Sequence, residues 1–456
     1  MMNSQNSIIK KFLLTIAGII LLHHASAQMT VRVIRDSLFI PWELVYGPDN
    51  HIWFTQKNGY ICRLDPYSKK IDTLYHETST VIQSEGGMLG LALHPDFFQQ
   101  PYVFVAYNYQ QGSDYRERIV RLAYTGTVLQ NPLILLDNII GAFAHNGCRL
   151  VIVNDKLFIT TGDAANSTYS QNVQSLNGKT LRINLDGSIP ADNPIPGNPV
   201  WSWGHRNAQG LVYANNKLYS SEHGTNKDDE LNIIEKGRNY GWPNVEGFCD
   251  LPSEIAFCND SNVVQPLYAW TPTLAVCGID YYNHLMFPSL QNSILMTTLA
   301  NQKLYQLQLN GSFDGVVSAA PIAGINYGRL RDICISPDGR IYISTSNSPS
   351  SGTGSRVDKI IELADTSLSV VNISESNEIS ISPNPAGDYT ILKIPSSLGN
   401  DATQFVVINS EGKTVQKGKL LGSHTKLAIR HLPASVYQIR ITTKEGKTFT
   451  GKIIKQ

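Results

Sequence analysis

One pattern recurs six times from about residue 40 onward and limits what this chain can become: an apolar run, a turn of Pro, Asp, Asn or Gly, a second apolar run, then a small or polar residue. Trp42 to Thr55 (WELVYGPDNHIWFT) is the first instance, and Leu89 to Tyr107, Arg149 to Thr161 (RLVIVNDKLFITT) and Gly210 to Ser221 (GLVYANNKLYSS) follow. Asp280 to Leu299 is looser, and Leu330 to Thr345 (LRDICISPDGRIYIST) closes the series. No amphipathic helix of ordinary length interrupts them. Many antiparallel strands without helices must close on themselves or leave adhesive edges. Six hairpins at intervals of about 40 to 65 residues therefore predict an all-β fold, a six-bladed β-propeller over residues 28–363, with a double sandwich as the alternative.

The N-terminus sets the compartment. Lys10 and Lys11 precede the apolar run Phe12 to Leu22, and Ala25-Ser26-Ala27 has the small-x-small form of a signal-peptidase site. The run is well short of the roughly twenty residues a membrane span needs, so residues 1–27 read as a signal peptide. Export permits disulfides. Cys249 and Cys258 bracket a short loop and are the candidate pair, while Cys62, Cys148, Cys277 and Cys334 are open to either bridges or buried thiols. Lys+Arg and Asp+Glu are both 37, so no net field draws the chain to nucleic acid, and a neutral extracellular partner such as a sugar fits better.

Residues 364–380 are polar, without apolar periodicity, and read as a linker. Residues 381–456 carry compact strand signals that predict a small C-terminal β-sandwich. Its SPNPAGD opening (Ser382 to Asp388), NSEGKTV turn (Asn409 to Val415), LPASVYQIRI segment (Leu432 to Ile441) and KIIKQ end resemble the C-terminal sorting domain of the Por (type IX) secretion system of Bacteroidetes. That resemblance implies passage through the periplasm, secretion machinery as a partner, and a secreted or cell-surface product. A small extracellular binding sandwich is the plainer reading of the same strands.

The densest polar stretch runs from Trp203 to Asp250. It holds His205, Arg206 and Asn207, then Glu222-His223-Gly224, then Asp228-Asp229-Glu230, then Asn239-Tyr240-Gly241-Trp242-Pro243, separated by strand-like runs. An Asp/Glu loop beside Gly offers the oxygens a hard cation takes, though solvated acidic loops look the same. With EGGMLGLALHPDF (Glu85 to Phe97), HNGCRLVI (His145 to Ile152), SIPADNP (Ser188 to Pro194), GHRNAQGL (Gly204 to Leu211), SEHGTNKDDELN (Ser221 to Asn232), NYGWPNVEG (Asn239 to Gly247) and GRLRDICISPDG (Gly328 to Gly339), the order and spacing resemble the soluble, calcium- and PQQ-dependent glucose/sorbosone dehydrogenases. The similarity runs from about Pro41 to Leu363 and implies oxidation of a sugar hydroxyl, with hydride passing to PQQ and an external acceptor taking the electrons.

The resemblance assigns roles. PQQ carries three carboxylates, which guanidinium forks pair bidentately, and Arg206, Arg329 and Arg331 are the candidate forks. His145 is the candidate base for the hydroxyl proton. Asp163 in TTGDA is a candidate to hold its tautomer, or else a turn cap. Asn207 and Glu85 are further cofactor contacts. Gly224 and Thr225 match backbone ligands of a cofactor-bound calcium, and Asp229, Glu230, Tyr240, Glu246, Phe248 and Asp250 a second, structural calcium. Two departures stand out: Ala144 replaces an Asp before the histidine, and Ala300 falls where the family places a lysine on the quinone, with Lys303 three residues on. Tyr268 or Trp270 is the candidate aromatic platform. The competing readings are a calcium-dependent lactonase-type propeller, which leaves the three arginines without a task, and a non-catalytic carbohydrate-binding propeller, which Ala144 and Ala300 favour.

Overall fold

In the computed structural model, residues 29–349, 355–365, 380–393, 402–409, 412–420, 424–443 and 448–455 are described; the signal peptide and most of the linker expected above lie outside them. The chain from Met29 to Asp365 forms six four-stranded antiparallel sheets, numbered here in chain order by their first strands: Pro41–Tyr46, Met88–Leu93, Gly147–Val153, Ala208–Ala214, Val276–Tyr282 and Leu330–Ile335. Each expected hairpin is the first two strands of one sheet. These first strands pack side by side in a closed cycle, the sixth against the first.

Six separate apolar clusters lie between neighbouring sheets, one at each junction of the cycle. Second strands such as Ile52–Gln56 (IWFTQ), Lys156–Thr161 (KLFITT) and Ile341–Thr345 (IYIST) are buried almost throughout, because both of their faces meet another sheet. Fourth strands lie outermost: Val316–Pro321 has no buried residue. Where the first strands converge, Arg149 is 2 % exposed and pairs with Glu43 at 2.9 Å and Asp332 at 2.7 Å, its guanidinium 4.2 Å from the Trp42 ring centroid. That knot ties sheets one, three and six.

The sixth sheet is completed from both ends of this region. Met29–Leu38 pairs antiparallel with Asp358–Asp365, the strand order being Met29–Leu38, Asp358–Asp365, Ile341–Thr345, Leu330–Ile335. This strand was absent from the hairpin series because its partner lies more than 300 residues away. Ala364 and Asp365, read as linker from sequence, are buried strand residues; Ala364 pairs with Thr30, whose hydroxyl donates to its carbonyl at 2.8 Å. Ser380, the last expected linker residue, already lies in a strand.

Among the described residues helix is confined to Thr168–Gln171, Pro252–Asp260 and a single 3-10 turn at Pro288–Leu290, and no helix is long and apolar enough to cross a membrane. Cys249 and Cys258 form a disulfide, while Cys62, Cys148, Cys277 and Cys334 are buried free thiols. Beyond Ser380, a three-stranded and a four-stranded sheet share an apolar core of their own that includes Leu392, Phe405, Val407, Leu427, Ile439 and Ile441.

Candidate active site

In an antiparallel sheet the start of the first strand and the end of the second lie at the same edge. Gly147 pairs with Thr161, Ala208 with Glu222 and Leu330 with Thr345, so residues just before a first strand and just after a second strand gather at one end of the cycle. Glu85, His145, Arg206, Asn207 and Arg329 precede first strands, and Arg331 is the second residue of one; Asp163, His223 and Gly224 follow second strands. All six first strands carry a register irregularity near their start. Such bulges bend the strand and re-aim its side chains.

His145 and Asp163 meet here. His145 Nδ1 lies 2.8 Å from Asp163 Oδ1, and Asp163 is buried. Trp242 Nε1 donates to Asp163 Oδ2 at 2.9 Å, so the carboxylate is itself held. The two readings of Asp163 are both realised, since Oδ1 also accepts the Ala165 N–H at 2.9 Å as a turn cap. With Nδ1 facing a carboxylate, Nε2 is the ring nitrogen left for a substrate. The backbone that achieves this is constrained: His145, Cys148, Ala164 and Ala165 have φ between 53° and 65°, a region costing side-chain-bearing residues about 1–2 kcal/mol each. A Cβ on Gly162 would stand 1.8 Å from the His145 carbonyl oxygen, so only glycine permits this approach.

Around this couple lies a ring of polar groups. Glu85 Oε2 accepts the His145 N–H at 2.8 Å, with Asn207 Nδ2 at 3.4 Å and Gln209 Nε2 at 3.5 Å. Burial acts to raise the Glu85 carboxyl, but His223, the His145 N–H and nearby cations together hold it below its ordinary value. Asn207 Oδ1 accepts the Gly147 N–H at 3.2 Å. Arg331 Nη1 donates to Gln209 Oε1 at 2.7 Å, and the Arg206 guanidinium lies 5.4 Å from the Trp242 ring centroid. Arg329 reaches solvent, its guanidinium pulled below its usual range by partial burial and the like charge of Arg331. Behind Arg206, His205 is fixed between Glu222 Oε2 (2.9 Å) and Ser202 Oγ (2.8 Å), and Glu222 also accepts the Arg206 N–H.

Three nitrogens of this ring, Arg206 Nε, Arg331 Nε and His223 Nε2, are buried without a hydrogen-bond partner among the described residues. A buried donor left unpaired costs about 1–3 kcal/mol. Two of the three belong to guanidinium cations, which gives the ring the chemistry of a receptor for an oxygen-rich anion. Burial pushes the His223 imidazole below its ordinary value, against the charges of Asp229 and Glu85.

The expected metal ligands are only partly assembled. Gly224 turns so tightly that a Cβ would sit 1.9 Å from the Lys227 carbonyl oxygen. Asp229, expected among the calcium ligands, braces two loops: Oδ1 accepts from Gly224 N (2.9 Å), and Oδ2 from Leu274 N (2.7 Å) and Val276 N (3.2 Å). Glu230 and Glu246 line one pocket with Glu222, Asp228, Gly224 and the ring of Tyr240, whose hydroxyl donates to the Ile233 carbonyl. Thr225 Oγ1 donates to Glu246 Oε1 at 2.9 Å. Burial and the like charges of Glu222 and Asp228 push the Glu230 carboxyl up to about 8. Phe248 and Asp250 are exposed and do not line this pocket. Among the described residues no three His, Cys, Asp or Glu side chains are grouped to hold a metal ion.

Ala300 is exposed, and Lys303 reaches toward Asn326 Oδ1 at 3.5 Å. Trp270 packs against Tyr268 at 4.8 Å in the junction of sheets four and five. The sequence reading left Gln209, Glu222, His223 and Trp242 without roles, although all four lie inside the quoted GHRNAQGL, SEHGTNKDDELN and NYGWPNVEG segments.

Residues 38–353 match the family described as glucose / sorbosone dehydrogenase, and residues 380–456 match the secretion system C-terminal sorting domain. The chain is 30% identical over 411 residues to quinoprotein glucose dehydrogenase B of Acinetobacter calcoaceticus, covering 70% of this chain and 86% of that protein. It is 30% identical over 353 residues to the aldose sugar dehydrogenase YliI of Escherichia coli strain K12, covering 71% and 92% respectively. The solved PQQ-bound aldose sugar dehydrogenase of Streptomyces coelicolor superposes with a TM-score of 0.62 at 31% identity, over 74% of this chain and 98% of that one.

Proposed function

The chain belongs to the glucose/sorbosone dehydrogenase family, and from that premise we propose that this sugar oxidoreductase is PQQ-dependent and uses His145 as its base. In this reading the six sheets, from Met29 to Asp365, are the blades of a propeller, and the C-terminal unit is a sandwich that serves as an export address. The observation that carries it is the conjunction of the His145–Asp163 couple with the unpartnered nitrogens of Arg206, Arg331 and His223 at one end of the cycle.

Those residues fit PQQ. Its carboxylates would take the guanidinium forks of Arg206 and Arg331, with Arg329 at the solvent side and Asn207 and Glu85 alongside. Bound PQQ supplies the two-electron acceptor. The chain does the rest: a sugar hydroxyl donates to His145 Nε2, which takes the proton as the carbon is oxidised. Asp163 Oδ1 faces the Nδ1–H, so the imidazolium forms against a carboxylate that is already in place. Trp242 keeps that carboxylate from turning. We further assign calcium to the region of the Gly224 and Thr225 backbone and the Glu230 and Glu246 carboxylates, where a cation would offset the like charges of Glu222 and Asp228 that bear on Glu230.

The test is reconstitution of purified protein with PQQ and calcium, following dye reduction over a panel of aldoses. Sugar-dependent reduction that needs PQQ and falls roughly 10²–10⁴-fold in His145→Ala is expected. Lactone hydrolysis with calcium alone would establish the hydrolase reading instead, and PQQ binding without turnover of any sugar would establish a binding propeller.

A further inference from the structure

Lys57 follows the second strand of sheet one as His223 follows that of sheet four. The equivalence is in the backbone: the N–H of Lys57 donates to Ile40 O (3.1 Å), that of His223 to Asn207 O (3.1 Å), that of Leu299 to Ala275 O (2.9 Å) and that of Ser346 to Arg329 O (2.8 Å). Lys57 thus occupies in sheet one the position that His223, a member of the candidate site, holds in sheet four. It is 3 % exposed, which is rare for lysine. Its Nζ donates to the Ser84 carbonyl, next to Glu85, the carboxylate that holds the His145 backbone. Its stem presses so closely on the chain before sheet two that a Cβ at Gly87 would meet Lys57 Cγ at 2.5 Å.

The surroundings mark the ammonium as part of the ring's charge. Burial pushes it down to about 7, Arg331's charge acts in the same direction, and Glu85 opposes both. An ammonium has three N–H donors, and the Ser84 carbonyl takes one. In sheet five the neighbouring position is Ala300, which has no polar group, and Lys303 is committed toward Asn326.

We propose that Lys57 is a cofactor-binding residue, supplying from sheet one the cation that Ala300 does not supply from sheet five, with its ammonium engaging an anionic oxygen of PQQ. The assignment rests on the PQQ reading above. A desolvated charge-assisted hydrogen bond of this kind corresponds to roughly ten- to hundredfold in affinity.

The experiment is a PQQ titration of the full chain in calcium, followed by cofactor absorbance, with Tm measured for every variant. Lys57→Met is expected to weaken PQQ binding at least about tenfold with Tm unchanged, Lys57→Arg to restore most of it, and Lys303→Met to bind like the parent. Lys57→Gln serves if the Met variant does not fold, with the same loss expected. Unchanged affinity in the neutral Lys57 variants, or a loss in Lys303→Met instead, overturns the assignment while leaving the PQQ reading standing. A parent chain that binds no PQQ overturns both.

Discussion

Buried polar side chains at this site do two jobs at once, and that decides how far a sequence can assign them. Asp163 is both a turn cap and the partner of His145, so the two readings of TTGDA are not rivals. Lys57 stood in plain view in a TQKNG turn, where a lysine reads as solvated; its burial and the bond from its Nζ to the Ser84 carbonyl show that it points inward. Glu117 is the sharpest such case. It is fully buried on Asp114–Tyr124, the third strand of sheet two, its Oε1 accepting from Asn108 Nδ2 (3.3 Å) and its Oε2 from the Cys148 thiol (3.1 Å). Burial outweighs both bonds and pushes its carboxyl up to about 8. A carboxyl raised in the folded state favours folding below its unfolded value near 4.5, and that contribution is lost as pH rises through about 8. Tm is therefore expected to fall between about pH 5 and pH 8, and Glu117→Gln, which cannot ionise, to flatten the fall in a thermal melt series; an unchanged slope would contradict the assignment.

Elements were legible in proportion to how they are buried. The first two strands of each sheet meet other sheets on both faces, so they appear as dense apolar hairpins, and all six were visible in sequence. Fourth strands such as Val316–Pro321 are wetter, third strands such as Lys179–Asn184 (KTLRIN) are buried but carry polar residues that mask them, and the bulges that begin every first strand leave no mark in composition. The strand Met29–Leu38 was missed for a different reason: nothing local marks it, because its pairing is with Asp358–Asp365. It nevertheless buries Ile34 and Leu38 to 3 % exposure at the junction of sheets six and one. Two such side chains contribute about 3–6 kcal/mol. Deleting residues 29–38 is expected to lower Tm by about 10 °C or more and to promote association through the bared edge of Asp358–Asp365. Calorimetry and light scattering read the two effects.

For the whole molecule, the match of residues 380–456 to a sorting domain gives the chain its address, and the separate core of that unit indicates that it contributes no packing to the six junctions. Ending the chain after Asp365 is expected to leave PQQ-dependent turnover and Tm of the remaining protein within about twofold and a few degrees of the full chain, while abolishing delivery to the cell surface or medium; fractionation of the native host checks the second half. The ring's closure has a consequence for how such a protein comes into being. Thr30 and Ala364, bonded across sheet six, are 334 positions apart. A chain emerging N-terminus first must carry its opening strand unpaired until nearly everything that separates the two has appeared. Until that partner is available the strand's hydrogen-bonding edge stays open, so closure of the ring is the longest-range event in the fold and the one most exposed to mispairing.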